Sequence, residues 1–260
     1  MLAGSSWSEN WQECHRKAFE AAEAGAAKFH CSGKKKDHRR GQFPVANIGI
    51  SYGGGCKLPG NMAISCANNV AIIRHLLDNI FFKRIVGFTK QAFDLYALLL
   101  YAYYVNTLAE VCAHIFVNSV FACCTFNLGP LVRSFVHTDH LNLVFRWCAI
   151  TALGTFDAEK GGHLVLWDLK LVIEVPAGST IFILSAILQH SNIPMQDGEI
   201  WLSFIQWTAG GLFRLQDFVF KSAKDFEAEV GKQGAEKANA ACQKEGQSLL
   251  LRLSELCYVE

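Results

Sequence analysis

Two residue types that bind metals occur together at one point of the sequence. His137 and Asp139 are separated by one residue at the end of a strand-like segment, and His190 follows 53 positions after His137. Because alternate residues of a strand project to the same face, His137 and Asp139 are expected to point together. Two imidazoles and one carboxylate on one face of an octahedron suit Fe(II) and leave positions open for a chelating cosubstrate and oxygen. The pattern therefore predicts a mononuclear iron site.

The HxD pair does not by itself distinguish a metal site from ordinary polar residues at a strand end, since the chain has nine histidines and such pairs arise by coincidence. Its context favours the metal. The pair and His190 both lie at the ends of strand-like runs, at a spacing that a jelly roll can close. His75, His114 and His163 have no such partners, so core or surface roles suffice for them.

The elements that must position these residues are predicted to be strands. After Phe116, six short runs rich in β-branched and aromatic residues are separated by Gly, Pro, Asn or Asp, which is typical of antiparallel sheets. Helical periodicity from Asn68 to about His114 predicts two helices, joined near Ile85 to Thr89, that brace one sheet. The expected fold class is α+β, with a double-stranded β-helix (jelly-roll) core, bracing helices, and helical extensions at both ends.

The flanking regions differ in composition from this core. Residues 8–31 have the composition of an amphipathic helix and precede a basic segment, KKKDHRRGQFP, from Lys34 to Pro44. Beyond Lys221 the chain is rich in Ala, Glu, Lys and Gln, which predicts a further helix. We therefore divide the chain into an N-terminal helical and basic segment at 1–44, the main domain with its bracing helices at 45–220, and a C-terminal helical segment at 221–260.

Composition excludes several classes of protein. Hydrophobic residues make up 51% and charged residues 18% of the chain, which favours a globular protein over a disordered one. A formal net charge of +1 provides no global attraction for nucleic acid, so any such contact must be local. Ten cysteines without a CxxC pair disfavour a zinc knuckle, and the start of the sequence lacks a secretory pattern. The most apolar helical stretch, Leu95 to Val105, is too short to cross a membrane.

Several strings in order resemble the TET/JBP family of Fe(II)- and 2-oxoglutarate-dependent nucleic-acid base dioxygenases, in particular its fungal branch that travels with transposable elements. The strings are DHRRGQFP at 37–44, HTDHLNL at 137–143, GGHLVLWDLKLVIEVPAGSTI at 161–181, HSNIP at 190–194 and TAGGLFR at 208–214. The likeness covers approximately residues 37 to 220. It implies that 2-oxoglutarate is the cosubstrate and that 5-methylcytosine in DNA, or another methylated base, is oxidised to 5-hydroxymethylcytosine and beyond. A DNA substrate implies a nuclear protein, or otherwise a cytoplasmic one.

The resemblance also implies roles for individual residues. His137, Asp139 and His190 match the iron ligands, and Ser203 matches a serine that helps to hold the distal carboxylate of 2-oxoglutarate. Asn127 and Asn142 fall in motifs whose relatives contact the target base, although polar residues that cap turns are an equally good interpretation.

One position departs from the family pattern. Relatives carry Arg-x-Ser shortly after the distal histidine, with the arginine paired to the cosubstrate, whereas this chain has Trp201-Leu202-Ser203. Loss of one partner of a buried charged pair costs about 2 to 5 kcal/mol, or roughly 30-fold to several thousand-fold in affinity. Arg214 is the nearest downstream substitute.

Three alternatives to an active oxygenase follow. The first is a degenerate copy that keeps the fold and the iron ligands but turns over poorly or not at all. The second is a DNA-binding module that uses the basic residues from Lys34 to Arg40, in which case neutralising them would flatten the salt dependence of DNA affinity; a solvated loop is the simpler interpretation of that segment. The third is a cupin-like metal protein, which would bind a metal without any effect of 2-oxoglutarate.

Overall fold

The structure is a computed structural model that describes residues 1–53, 56, 58–64, 66–111 and 115–251, without the side chains of Lys34 and Lys35. His114 and the end of the predicted C-terminal segment, 252–260, lie outside the described residues. Within them, no helix combines the length and the apolar character needed to cross a membrane.

Helices and strands alternate in blocks along the chain. The helices are α1 (Trp11–Lys28), α2 (Gly33–Lys36), α3 (Ala67–Asp78), α4 (Ile80–Tyr96), α5 (Leu98–Val111), α6 (Gly210–Asp217) and α7 (Ala223–Ser248). The strands are β1 (Leu2–Gly4), β2 (Asp37–His38), β3 (Gly41–Gln42), β4 (Val45–Ser51), β5 (Gly60–Asn61), β6 (Cys123–Asn127), β7 (Cys148–Thr155), β8 (Leu164–Leu166), β9 (Leu171–Ile173), β10 (Thr180–Ile183), β11 (His190–Asn192) and β12 (Ile200–Trp207). A 3₁₀ turn, Trp167–Leu169, joins β8 to β9.

Two antiparallel sheets form the core of the fold. The major sheet has the order β1-β10-β7-β12-β6-β4-β5, and the minor sheet has the order β11-β8-β9. Strands that are remote in sequence are neighbours in both sheets, as a jelly roll requires. The predicted α+β class with a jelly-roll core is confirmed. Three strands of the major sheet, β1, β4 and β5, lie before the β-rich half and outside the six predicted runs.

The bracing helices differ in number from the prediction. Three helices, α3 to α5, occupy the stretch where two were expected, and the predicted connector at Ile85 to Thr89 lies inside α4. Ile85, Val86 and Thr89 are fully buried, so this stretch is a helix turn that packs on the core. The chain breaks instead at Asn79, whose side-chain oxygen accepts hydrogen bonds from the backbone N–H groups of Phe81 and Phe82. An asparagine that satisfies free N–H groups in this way is a strong helix N-cap.

The two faces of the central strand β12 have different surroundings: one packs on the bracing helices, and the other faces the space inside the jelly roll. Leu202 and Phe204 face the bracing helices, and the ring of Phe204 lies 5.2 Å from that of Phe82 and 5.0 Å from that of Phe126. Because side chains alternate along a strand, Trp201, Ser203, Ile205 and Trp207 face the opposite side. That opposite face is where the candidate site lies.

Both chain extensions are helical, as predicted. The N-terminal one also joins the core, because β1 pairs with β10 and the Trp11 indole N–H donates to the backbone oxygen of Gly178 at 3.1 Å. The C-terminal helix α7 is interrupted at Gly231, where the backbone is non-helical. The domain boundaries at residues 44 and 220 stay a prediction.

Candidate metal centre

A short backbone bridge brings the two candidate histidines together. The His137 N–H donates to the oxygen of His190 at 3.1 Å, and the His190 N–H donates to the oxygen of His137 at 2.9 Å. Residues that exchange both hydrogen bonds stand directly opposite each other, with side chains on one face. The two imidazole rings are accordingly 4.2 Å apart between centroids.

Hydrogen bonds orient both imidazoles in the same way. The Nδ1 atom of His137 lies 2.7 Å from the backbone oxygen of Phe135, and that of His190 lies 2.9 Å from the backbone oxygen of Leu188. A carbonyl only accepts, so the proton resides on Nδ1 and the lone pair of Nε2 is left for a metal.

The electrostatics of the site keep these rings neutral. Burial, followed by the neighbouring His190, lowers the pKa of His137 to about 4. Burial also lowers the pKa of His190. Both imidazoles are therefore uncharged at pH 7 and can bind a cation without first losing a proton.

Asp139 is the third candidate ligand. Its backbone N–H donates to the oxygen of Ser185 at 2.7 Å, and its Oδ1 lies 2.6 Å from Nη2 of Arg40 and 3.7 Å from Nη2 of Arg39. Burial acts to raise the pKa of Asp139, but Arg40 and the two imidazoles outweigh it and the pKa is lowered. Despite the short distance to Arg40, Oδ1 is buried and receives no well-directed hydrogen bond. A buried carboxylate oxygen that accepts no well-directed hydrogen bond suits a metal ion.

The three ligand atoms converge. One atom each of His137, Asp139 and His190 lies within 4.8 Å of the others, and no other such group of His, Cys, Asp or Glu occurs among the described residues. First-row metals bind imidazole nitrogen and carboxylate oxygen at about 2.0–2.2 Å, so small side-chain rotations close the group around one ion. Two histidines and one carboxylate with open positions form the donor set of non-haem Fe(II) oxygenases.

Comparison with solved structures identifies the fold. The structure of NgTET1 in complex with 5mC DNA superposes with a TM-score of 0.58 at 14% sequence identity, over 78% of this chain and 69% of that chain. The chain shares the TET-type oxygenase fold. A 2OG-Fe(II) oxygenase family protein from Burkholderia pseudomallei is a more distant match, with a TM-score of 0.38 at 16% identity over 70% and 76% of the two chains. No protein-family model and no curated protein matches the sequence significantly.

The cofactors predicted from the sequence, Fe(II) and 2-oxoglutarate, are supported by the donor set and the TET-type fold together. The assignment to the fungal, transposon-associated branch stays a prediction.

A cavity in the TET-type fold contains the metal group and most of the predicted site residues. Strands of both sheets line it, and its lining includes the three ligands together with Asn127, Asn142 and Ser203. Arg214 is not among the lining residues: it lies in α6 rather than on a strand. The position of Arg214 in the fold therefore does not support it as a substitute for the missing arginine.

The predicted polar residues also contact one another. The Asn127 amide donates to Oγ of Ser203 at 2.8 Å across β6 and β12, and the Asn142 amide donates to Oγ of Ser185 at 3.1 Å. Ser185 in turn hydrogen-bonds the Asp139 carboxylate and lowers its pKa. Asn142 thus contacts the candidate ligand Asp139 indirectly, through Ser185. Contact of Asn127 and Asn142 with a base stays a prediction.

Sequence reasoning missed several residues of this site. Ser185 follows an apolar strand without any motif of its own. Ser134 and Asn192 connect the segment before His137 to β11 by hydrogen bonds. The Ser134 N–H and hydroxyl donate to the Asn192 side-chain oxygen at 2.6 and 2.7 Å. Arg40 had been noted only as part of a basic segment. Nothing local in the sequence marks these contacts, because each joins segments far apart in the chain.

Arg40 offers a test of the charge balance at Asp139. The side chain of Asp139 is 14% exposed, and removing one partner of a buried ion pair costs about 3 to 5 kcal/mol; partial exposure brings our expectation to about 2 kcal/mol. We expect Arg40→Gln to lower the melting temperature of the metal-free protein and to enlarge the stabilisation that added metal produces. Calorimetry with and without metal measures both.

Arg39→Gln is the matched control. Arg39 lies 3.7 Å from the same oxygen and is 46% exposed, so its replacement should change either quantity far less. Equal effects of the two substitutions would contradict the role given to Arg40.

Proposed function

We propose that this protein is an Fe(II)- and 2-oxoglutarate-dependent dioxygenase that oxidises the methyl group of 5-methylcytosine in DNA. One observation carries the proposal: two oriented Nε2 atoms and one buried carboxylate oxygen converge on a cavity of a TET-type fold. When bound, iron and 2-oxoglutarate supply the oxidation, in which one atom of O₂ is inserted into a methyl C–H bond and the other enters succinate as CO₂ leaves.

The protein's own residues bind the metal, orient its ligands and exclude water from the cavity. His137, Asp139 and His190 hold the metal, and hydrogen bonds of the backbone hold both imidazoles in place. Apolar side chains, including Ile150, Ile181 and Val175, make up much of the cavity wall. A dry wall protects a reactive oxidant from side reactions.

Features near the metal group support a nucleic-acid substrate. The base to be oxidised lies inside a duplex and must be extruded, at a cost of a few kcal/mol of lost stacking. Phe135 and Val136, immediately before His137, are 47% and 49% exposed, and Arg39 is 46% exposed beside them, donating to the oxygen of Thr138 at 2.8 Å. Exposed apolar groups next to a cation are suited to replacing a base in the stack and contacting a phosphate. Action on DNA would place the protein in the nucleus.

The experiment is direct. Purified protein with Fe(II), ascorbate and 2-oxoglutarate is incubated with 5-methylcytosine oligonucleotides, and products are measured by mass spectrometry. We expect 5-hydroxymethylcytosine, with none from Asp139→Ala. Absence of product from both the native protein and a Trp201→Arg variant would contradict the proposal.

A second candidate is a degenerate copy, favoured by one observation. Trp201 stands where a cationic residue is expected, and Arg40, which pairs with Asp139, is the one Lys or Arg among the described cavity-lining residues. In that case the native protein would give no product, whereas Trp201→Arg would restore turnover.

A further inference from the structure

Trp201 carries an unused hydrogen-bond donor. Its side chain is 7% exposed and lines the cavity, and its indole N–H is buried without an acceptor. Such a donor destabilises the fold unless a ligand or a water supplies the acceptor. Because an indole nitrogen donates and cannot accept, the group that completes it must carry a lone pair.

Three other tryptophans have an acceptor for the indole N–H. The indole N–H groups of Trp11, Trp167 and Trp207 donate to the Gly178 backbone oxygen, to the Ser191 hydroxyl and to the Thr125 hydroxyl at 2.8 to 3.1 Å. Trp207 lies on the same face of β12 and lines the same cavity as Trp201. The unpaired donor is therefore a property of position 201.

A second donor lies two residues further along β12. The Oγ atom of Ser203 accepts a hydrogen bond from the Asn127 amide at 2.8 Å, which leaves its own proton free to donate. Residues i and i+2 of a strand share a face, so the Trp201 indole and the Ser203 hydroxyl face the same part of the cavity.

The position of Trp201 is well determined by its surroundings. Its backbone N–H donates to the oxygen of Pro130 at 3.1 Å, and its backbone oxygen accepts from the N–H of Val132 at 3.3 Å. Gly162 leaves room for the ring, because a Cβ atom there would lie 3.3 Å from Trp201 Cδ1 and 2.4 Å from Met195 Cε. The indole is thus held in place in the cavity wall.

We propose that the Trp201 indole N–H and the Ser203 hydroxyl bind the distal carboxylate of 2-oxoglutarate, as neutral donors in place of a cation. The inference rests on the proposed function, since the metal group binds the 2-oxo acid end of the same molecule. A carboxylate offers lone pairs to both donors at once. Two neutral hydrogen bonds hold it more weakly than a bidentate arginine, so this protein binds its cosubstrate with reduced affinity.

The test measures binding rather than turnover. Protein loaded with Fe(II) without oxygen is titrated with 2-oxoglutarate in a calorimeter, for the native chain, Trp201→Phe and the matched control Trp207→Phe. Loss of a hydrogen bond to a charged group weakens binding by roughly 10- to 100-fold, which we expect for Trp201→Phe. Trp207→Phe, whose N–H is already bonded to Thr125, should change the affinity less than about threefold.

The charge of the distal end is tested with 2-oxohexanoate, a 2-oxo acid with a neutral tail. Trp201→Phe should bind it as well as the native chain does, and Trp201→Arg should favour 2-oxoglutarate over it by a further roughly 30-fold or more. Circular dichroism and metal titration confirm that each variant folds and keeps iron.

Two failures are distinguishable. Unchanged 2-oxoglutarate affinity in Trp201→Phe would overturn the role of Trp201 and leave the oxygenase proposal intact. Iron binding with no response to 2-oxoglutarate in either the native chain or Trp201→Arg would overturn both.

Discussion

Replacing His137 by alanine is expected to abolish tight Fe(II) binding and to reduce turnover by at least about 10³-fold, equivalent to about 4 kcal/mol of transition-state stabilisation. The reason is geometric. Each ligand atom lies within 4.8 Å of the other two, and removal of one imidazole leaves a two-ligand site that holds iron too loosely to orient a cosubstrate. Metal content of the dialysed protein and product formation measure the two effects.

His140→Ala provides the control for that substitution. His140 belongs to the same HTDHLNL string but is exposed and lies outside the metal group. It should keep iron and activity within a few-fold of the native values. If His137→Ala bound iron as tightly as His140→Ala does, the metal centre would have to lie elsewhere.

Gly154→Ala is expected to destabilise the major sheet strongly. Gly154 in β7 stands opposite Trp201 in β12, has a φ of +147°, and would place a Cβ atom 2.0 Å from the backbone oxygen of Ile200. Backbone strain together with this clash should cost about 3 to 5 kcal/mol. Thermal unfolding and a denaturant titration measure the loss, and the displaced β12 should also weaken cosubstrate binding.

The matched control is Gly87→Ala. Gly87 lies inside α4, where an added Cβ meets nothing within 4 Å, and alanine stabilises a helix interior over glycine by about 0.5 to 1 kcal/mol. The two glycine substitutions should therefore shift the melting temperature in opposite directions. A neutral result for Gly154→Ala would mean that the β7–β12 pairing is laxer than the geometry indicates.

Much of the fold could be predicted because it depends on local pattern. The β-branched and aromatic runs after Phe116 predicted strands. Alternate residues of such a strand pack on the core, as Leu202 and Phe204 of β12 do. The helix break at Asn79 was missed because apolar periodicity continues across it, while a single N-cap side chain decides the boundary. The strand β1 was missed because it gains its stability from long-range pairing with β10.

The candidate metal ligands could be predicted from the sequence for a similar reason. His137 and Asp139 are separated by one residue, so their closeness needs only local geometry, although the strand predicted for this segment forms isolated bridges rather than a strand. His190 could be proposed from chemistry and spacing, yet its meeting with His137 depends on a two-residue bridge between remote segments.

By itself, the sequence determined the class of fold and the donor set for iron, because residue type and strand periodicity are local properties. That Trp201 stands in place of an arginine is what the family resemblance implies. Only the tertiary structure decided that Arg40 pairs with Asp139, that Ser185 and Asn142 support that carboxylate, and that Arg214 lies on a helix outside the cavity lining. These contacts join segments far apart in the chain, and their partners are selected by packing and burial, which no local pattern encodes.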